Sequence, residues 1–144
     1  MSVLRTGVAH HIFHDGEPKV AVAAAWYANQ LKTDHPVILT VLDFIETEHT
    51  KVLRRMDPPM QDMKLIDQYL FTSLNHIYEG RFDLAVDKCA IILAIDRNNV
   101  MAMKRMGSAY FLMGSKKRAE QVWKSALRIA PDDSELTEFL EMLL

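Results

Sequence analysis

The chain of 144 residues has one cysteine, Cys89, and no CxxC pair, which excludes an internal disulfide and suits a reducing compartment. Five glycines and five prolines are few for a strand-rich domain, whose turns need them. No run approaches the roughly 20 apolar residues that cross a bilayer, so no membrane span is expected. Neither sign of charge dominates: 17 Lys plus Arg stand against 19 Asp plus Glu. The resulting net charge of −2 argues against a dedicated nucleic-acid binder, whose domains are usually strongly basic. The apolar stretch 20–28 contains Ala-x-Ala spacings, but His10, His11, His14, Asp15, Glu17 and Lys19 precede it. No secretory signal tolerates those residues in its hydrophobic region, so the chain reads as untargeted and cytoplasmic. A periplasmic or secreted location enters only if the chain is a piece of a longer protein.

What is present is an ordinary globular mix, 49% hydrophobic and 25% charged. Apolar residues recur at helical spacing almost throughout, and no segment alternates convincingly with period two, so the expected fold class is all-α. Val20, Ala24, Tyr27, Ala28 and Leu31 share one helical face. Asp34 is expected to cap the next helix, with Pro36 in its first turn, where a missing N–H costs nothing. That helix carries Val37, Ile38, Val41, Leu42, Ile45, Val52, Leu53 and Met56, and Asp57-Pro58-Pro59 ends it. The short link between the two predicts an antiparallel hairpin over about 18–56.

The second half repeats itself. Gly80 and Gly114 are 34 residues apart, as are Ala85 and Ala119, Leu93 and Leu127, and Ile95 and Ile129. Each copy reads helix, glycine turn, helix, polar loop. Residues 100–133 present Met103, Met106-Gly107 and Tyr110, then Ala119, Trp123, Ala126 and Pro131. Residues 66–99 follow more loosely, with Tyr69, Thr72-Ser73 and His76, then Ala85, Cys89 and Ile92, and Arg97 in place of the proline. This pattern resembles the tetratricopeptide repeat family. The resemblance implies antiparallel helical hairpins stacked as a short right-handed α-solenoid. Small residues (Ser73, Ala85, Gly107, Ala119) would sit where paired helices approach, and Tyr110 and Trp123 would fill the space between units. Residues 134–144 would cap the array, burying Leu136, Phe139, Leu140 and Leu143 while Glu135, Glu138 and Glu141 face out. The expected organisation is therefore 1–62, an atypical helical segment packed on the repeats, and 63–144, two repeats plus the cap, within one structural domain.

The family lines a concave surface with the first helix of each unit. Carried over, its exposed positions are Asp67, Leu70, Leu74 and Ile77 in the first repeat and Met101, Lys104, Ser108 and Phe111 in the second, with Arg105 alongside. This is an apolar groove with cations at its edge. Leu74 stands where a chaperone-tail clamp wants asparagine, so that ligand is disfavoured. The groove residues are expected either to lie under an N-terminal helix carrying Val3, Leu4, Val8, Ile12 and Phe13, or to take a partner's helix or extended segment.

Chemistry is poorly supported. There is no Gly-x-Ser-x-Gly, no phosphate-binding glycine loop and no HExxH. Cys89 occupies a position the family fills with an aromatic, so an inert buried thiol is expected. His76, in a tyrosine position, is expected to pack between helices with a hydrogen bond. His10 and His14 share a helical face and, with His11 and Asp15, offer a metal-binding alternative that lacks a further ligand at motif spacing. Between 100 and 128, Lys104, Arg105, Lys116, Lys117, Arg118, Lys124 and Arg128 face Glu120 alone, and five acids follow. Cations late in a helix and acids early in the next would suit the helix dipoles, or the cations form a patch for an acidic partner. The expected function is a non-catalytic, cofactor-free adaptor or scaffold binding a protein or peptide. A bacterial secretion or assembly chaperone and a metal-dependent sensor or enzyme are the alternatives, and self-association through the C-terminal cap is a further option.

Overall fold

The computed structural model describes residues 18–144, which form eight helices and no strand. They are α1 (Pro18–Leu31), α2 (Pro36–Glu48), α3 (Thr50–Arg54), α4 (Leu65–Tyr78), α5 (Phe82–Ile95), α6 (Val100–Leu112), α7 (Lys116–Ile129) and α8 (Ser134–Glu141). By contacts, 18–68 belong to one compact unit and 69–144 to a second, the division falling inside α4.

In the first unit α1 packs against α2 and α3. Val20 to Ala25 are buried without interruption, as is Ala28, so α1 is covered on every side; a helix apolar all round belongs in a core. The hairpin turn differs from its expected form. Asp34 takes a left-handed backbone (φ 60°), and His35 becomes the N-cap, its Nδ1 accepting the Val37 N–H at 3.2 Å. The single helix expected over 36–56 breaks at His49 (φ −125°, ψ 38°). Near the break the Thr47 and Thr50 hydroxyls donate to the carbonyls of Asp43 and Glu46, four residues back, at 2.9 Å, as Thr40 does to Pro36 within the unbroken helix.

Two glutamines hold the loop that follows. The Gln30 amide donates to the Met63 carbonyl at 3.2 Å and accepts the Leu65 N–H at 2.7 Å. Gln68 is buried, accepts the Met60 N–H at 3.0 Å and donates to the Pro58 carbonyl at 2.9 Å. An amide side chain has the same donor and acceptor as a peptide unit, so each glutamine satisfies backbone groups that no helix can.

The second unit packs α5 on α6, α6 on α7 and α7 on α8. Its local geometry recurs every 34 residues. The α4–α5 and α6–α7 turns carry Gly80 (φ 77°) and Gly114 (φ 86°), where side chains are strained although the space is open. The next N–H in each turn, from Arg81 or Ser115, returns to the carbonyl of His76 or Tyr110 at 2.8 Å, the closing bond of a Schellman motif. Asn99 and Asp133 cap α6 and α8, their side chains accepting the N–H groups of Ala102 and Leu136 at 2.9 and 3.1 Å. Ser73 beside Cys89 in the first pair becomes Gly107 beneath Trp123 in the second.

Trp123 centres the core of this unit. It lies with Ala119, Ala126 and Leu136, its ring 4.9 Å from Phe139 and 6.0 Å from Phe111. A Cβ built on Gly107 would come closer than 3.0 Å to three indole atoms, so glycine is needed here for space.

Candidate functional site

The candidate surface is a half-buried stripe on α4 and α6, beside the most exposed face of α4, where Phe71 and Tyr78 are 59% and 80% exposed. Residues three and four apart on a helix share a face, which groups Leu70, Leu74 and Ile77 on α4, and Met101, Lys104, Ser108 and Phe111 on α6. Leu70, Leu74, Ile77, Ser108 and Phe111 are half-buried and Met101 is exposed, whereas Tyr69, Ser73, Ala102 and Ala109 on the other faces are fully covered. Asp67 is exposed in the first turn of α4. Phe111 does double duty, since its ring also packs against the Trp123 cluster.

Both cations expected to orient a partner's acidic group are engaged within the chain. Arg105 donates from Nη1 to the Leu70 carbonyl, which also accepts the Ser73 hydroxyl at 2.7 Å. Arg105 thereby ties α6 to α4. Lys104 Nζ lies 2.6 Å from Asp133 Oδ2 and 3.3 Å from Glu135 Oε1, with only 13% of its side chain exposed. Its own carbonyl accepts the Trp123 indole N–H at 3.2 Å. Lys104 is thus a clasp between α6 and the start of α8.

The clasp shifts both its charged groups. Partial burial opposes the Lys104 charge, but the hydrogen bonds and charges of Asp133 and Glu135 outweigh it and raise the amine above its ordinary 10.5. The Lys104 hydrogen bond leads in holding the Asp133 carboxyl below its ordinary 3.8, against some desolvation and helped by the Leu136 N–H. Asp133 therefore contributes stability that is present above pH 3.8 and lost as pH falls through its lower folded value. Lys104 contributes stability present below pH 10.5 and lost as pH rises through its higher folded value. Lys104→Met, which keeps the aliphatic stem, is expected to lower the thermal midpoint at neutral pH. The gap from wild type should close in acid once Asp133 is protonated. Melting both proteins across that range checks this, and a pH-independent gap would mean that pairing with Asp133 is not what the amine contributes.

Cys89 is fully buried, and burial pushes its thiol up to about 11, against a Ser73 hydrogen bond and the Arg105 charge. A protonated, inaccessible thiol is no nucleophile. His76 is half-buried and lacks the hydrogen bond expected of it: Nδ1 is buried with no hydrogen-bond partner, and Glu79 Oε2 lies 4.0 Å away. Among the described residues no three potential metal ligands cluster. His10, His11, His14 and Asp15, and the covering stripe Val3, Leu4, Val8, Ile12 and Phe13, lie outside the described residues.

The helix dipole does not account for the basic run. Lys116, Lys117 and Arg118 occupy the first turn of α7, the end that disfavours cations, and only Arg128 sits in its last turn. Sequence reasoning missed Asp133 and Glu135 as partners of Lys104; their one signal was that α8 begins 34 residues after α6. Among the described residues no helix is long and apolar enough to cross a membrane. No protein-family model matches the chain, and no curated protein or solved structure is significantly similar to it.

Proposed function

We propose that residues 66–133 are two stacked tetratricopeptide-type helix pairs, closed by α8, and that the chain is a non-catalytic interaction module whose α4–α6 surface takes a helix or extended segment of a partner protein. One observation carries the reading. The leading helices of the two pairs are fastened by Arg105 to the Leu70 carbonyl, with the stripe Leu70, Leu74, Ile77 and Phe111 left half-exposed. The 34-residue recurrence of the glycine turns and helix caps supports the repeat assignment.

With Lys104 and Arg105 engaged internally, recognition rests on apolar contact, flanked by Ser108 and Met101 as adaptable neighbours. Peptides selected from a displayed random library should shift the amide resonances of Leu70, Leu74, Ile77 and Phe111. Leu74→Glu should weaken that binding at least about tenfold, because a charge would be placed under the ligand without a partner, while circular dichroism stays helical. Resonance shifts confined to other helices, or undiminished binding by Leu74→Glu, would remove this surface from consideration.

A further inference from the structure

The outer side of the α7–α8 pair is a second surface, separate from the α4–α6 stripe. A cleft of about 300 Å³ lies between the two helices, lined by Leu127, Leu140 and Leu143, with Glu120 and Lys124 on the α7 side and Glu141 on the α8 side. Met142 and Leu144 beside it are exposed. The charges along the two helices, though not those at the cleft itself, are largely segregated. On α7, Lys116, Lys117, Arg118, Lys124 and Arg128 stand against Glu120 alone, while α8 displays Glu135, Glu138 and Glu141. Although the helices are neighbours, no cation of α7 pairs with a carboxylate of α8 among the described residues. Lys124 bonds Glu120 on its own helix at 2.6 Å, Arg128 donates to Ser125, and Arg118 lies over the Tyr110 ring. Glu138 and Glu141 are exposed without a cationic partner.

We propose that this face is a self-association surface whose occupant is a second copy of the chain. The argument is geometric. A two-fold axis in the interface plane, along the cleft, carries α7 of one copy over α8 of the other and the reverse. The leucine lining then meets its own image, and the basic helix meets the acidic helix twice. Any other orientation that closes the leucines sets like-charged helices opposite each other, so the charge pattern selects this pairing. The exposed Lys124–Glu120 pair is no obstacle, since such pairs contribute little and exchange partners readily.

Sedimentation equilibrium of the full chain tests this. Wild type should reach a monomer–dimer equilibrium that weakens as salt is added. Lys124→Glu and Glu141→Lys each place like charges together at two symmetric contacts, and each should raise the dimer Kd at least about tenfold. The combined variant Lys124→Glu/Glu141→Lys restores opposite charges and should return within a few-fold of wild type. Both positions of substitution are on the surface, so thermal melts should overlay after allowing for the dimer. Wild type that stays monomeric up to roughly 1 mM, or a combined variant that associates no better than the single ones, would overturn the proposal.

Discussion

Trp123→Ala is expected to cost about 3–5 kcal/mol, the range for removing a buried aromatic side chain. Total stability for a domain is only about 5–15 kcal/mol, so this single change removes a large share of it. Three separate losses converge. The rings of Phe139 and Phe111 lose their packing neighbour, at 4.9 and 6.0 Å between centroids. The Lys104 carbonyl loses the indole N–H. Gly107 faces a void that its own side chain cannot fill. Because Phe139 and Leu136 hold α8 to this cluster, α8 should open first. Urea denaturation followed by circular dichroism measures the total, and hydrogen exchange should show the α8 amides exposed before those of α5. A loss under about 1 kcal/mol would mean that the cluster is not the centre of the unit.

Gly107→Ala should destabilise although alanine is the better helix former. Helix propensity favours the change by about 1 kcal/mol. The added methyl meets three atoms of a buried indole that also packs against the Phe111 and Phe139 rings, so the ring has little room to give. Overpacking of this kind costs about 1–3 kcal/mol, and we expect it to win by about 1 kcal/mol. The sign should reverse in a Trp123→Leu background, where the obstructing ring is gone and only the propensity gain remains. Denaturation midpoints of the four proteins form a double-mutant cycle. If Gly107→Ala stabilises the wild-type chain, the close approach of α6 and α7 is not as tight as described.

The helices were legible because their evidence is local. Gly80 and Gly114 punctuate the repeat by backbone conformation alone, so their spacing predicts two turns of one kind, and the same returning hydrogen bond closes both. The stripe Leu136, Phe139, Leu140 and Leu143 likewise follows from periodicity, and it packs inward. Turn details were less legible. Composition points to Asp34 as the cap, but Asp34 adopts the left-handed conformation and His35, one residue later, caps the helix instead. The break at His49 was hidden because the apolar pattern continues through it.

The family resemblance puts Lys104 among the exposed groove positions of α6, whereas in the folded chain only 13% of its side chain is exposed, against Asp133 and Glu135. What it binds was a separate matter, because a long side chain reaches groups that are remote in sequence. Asp133 lies 29 positions away and meets Lys104 only once α8 folds back beside α6. Arg105 likewise found the Leu70 carbonyl, and Lys116, Lys117 and Arg118 came to rest at the end of α7 that disfavours them. The order of residues alone therefore settled that the chain is helical, where the two glycine turns fall and which side of each helix is apolar, since these depend on neighbours within one or two helical turns. The pairing of charges was left to the folded chain, since it depends on distances between helices that no local pattern contains.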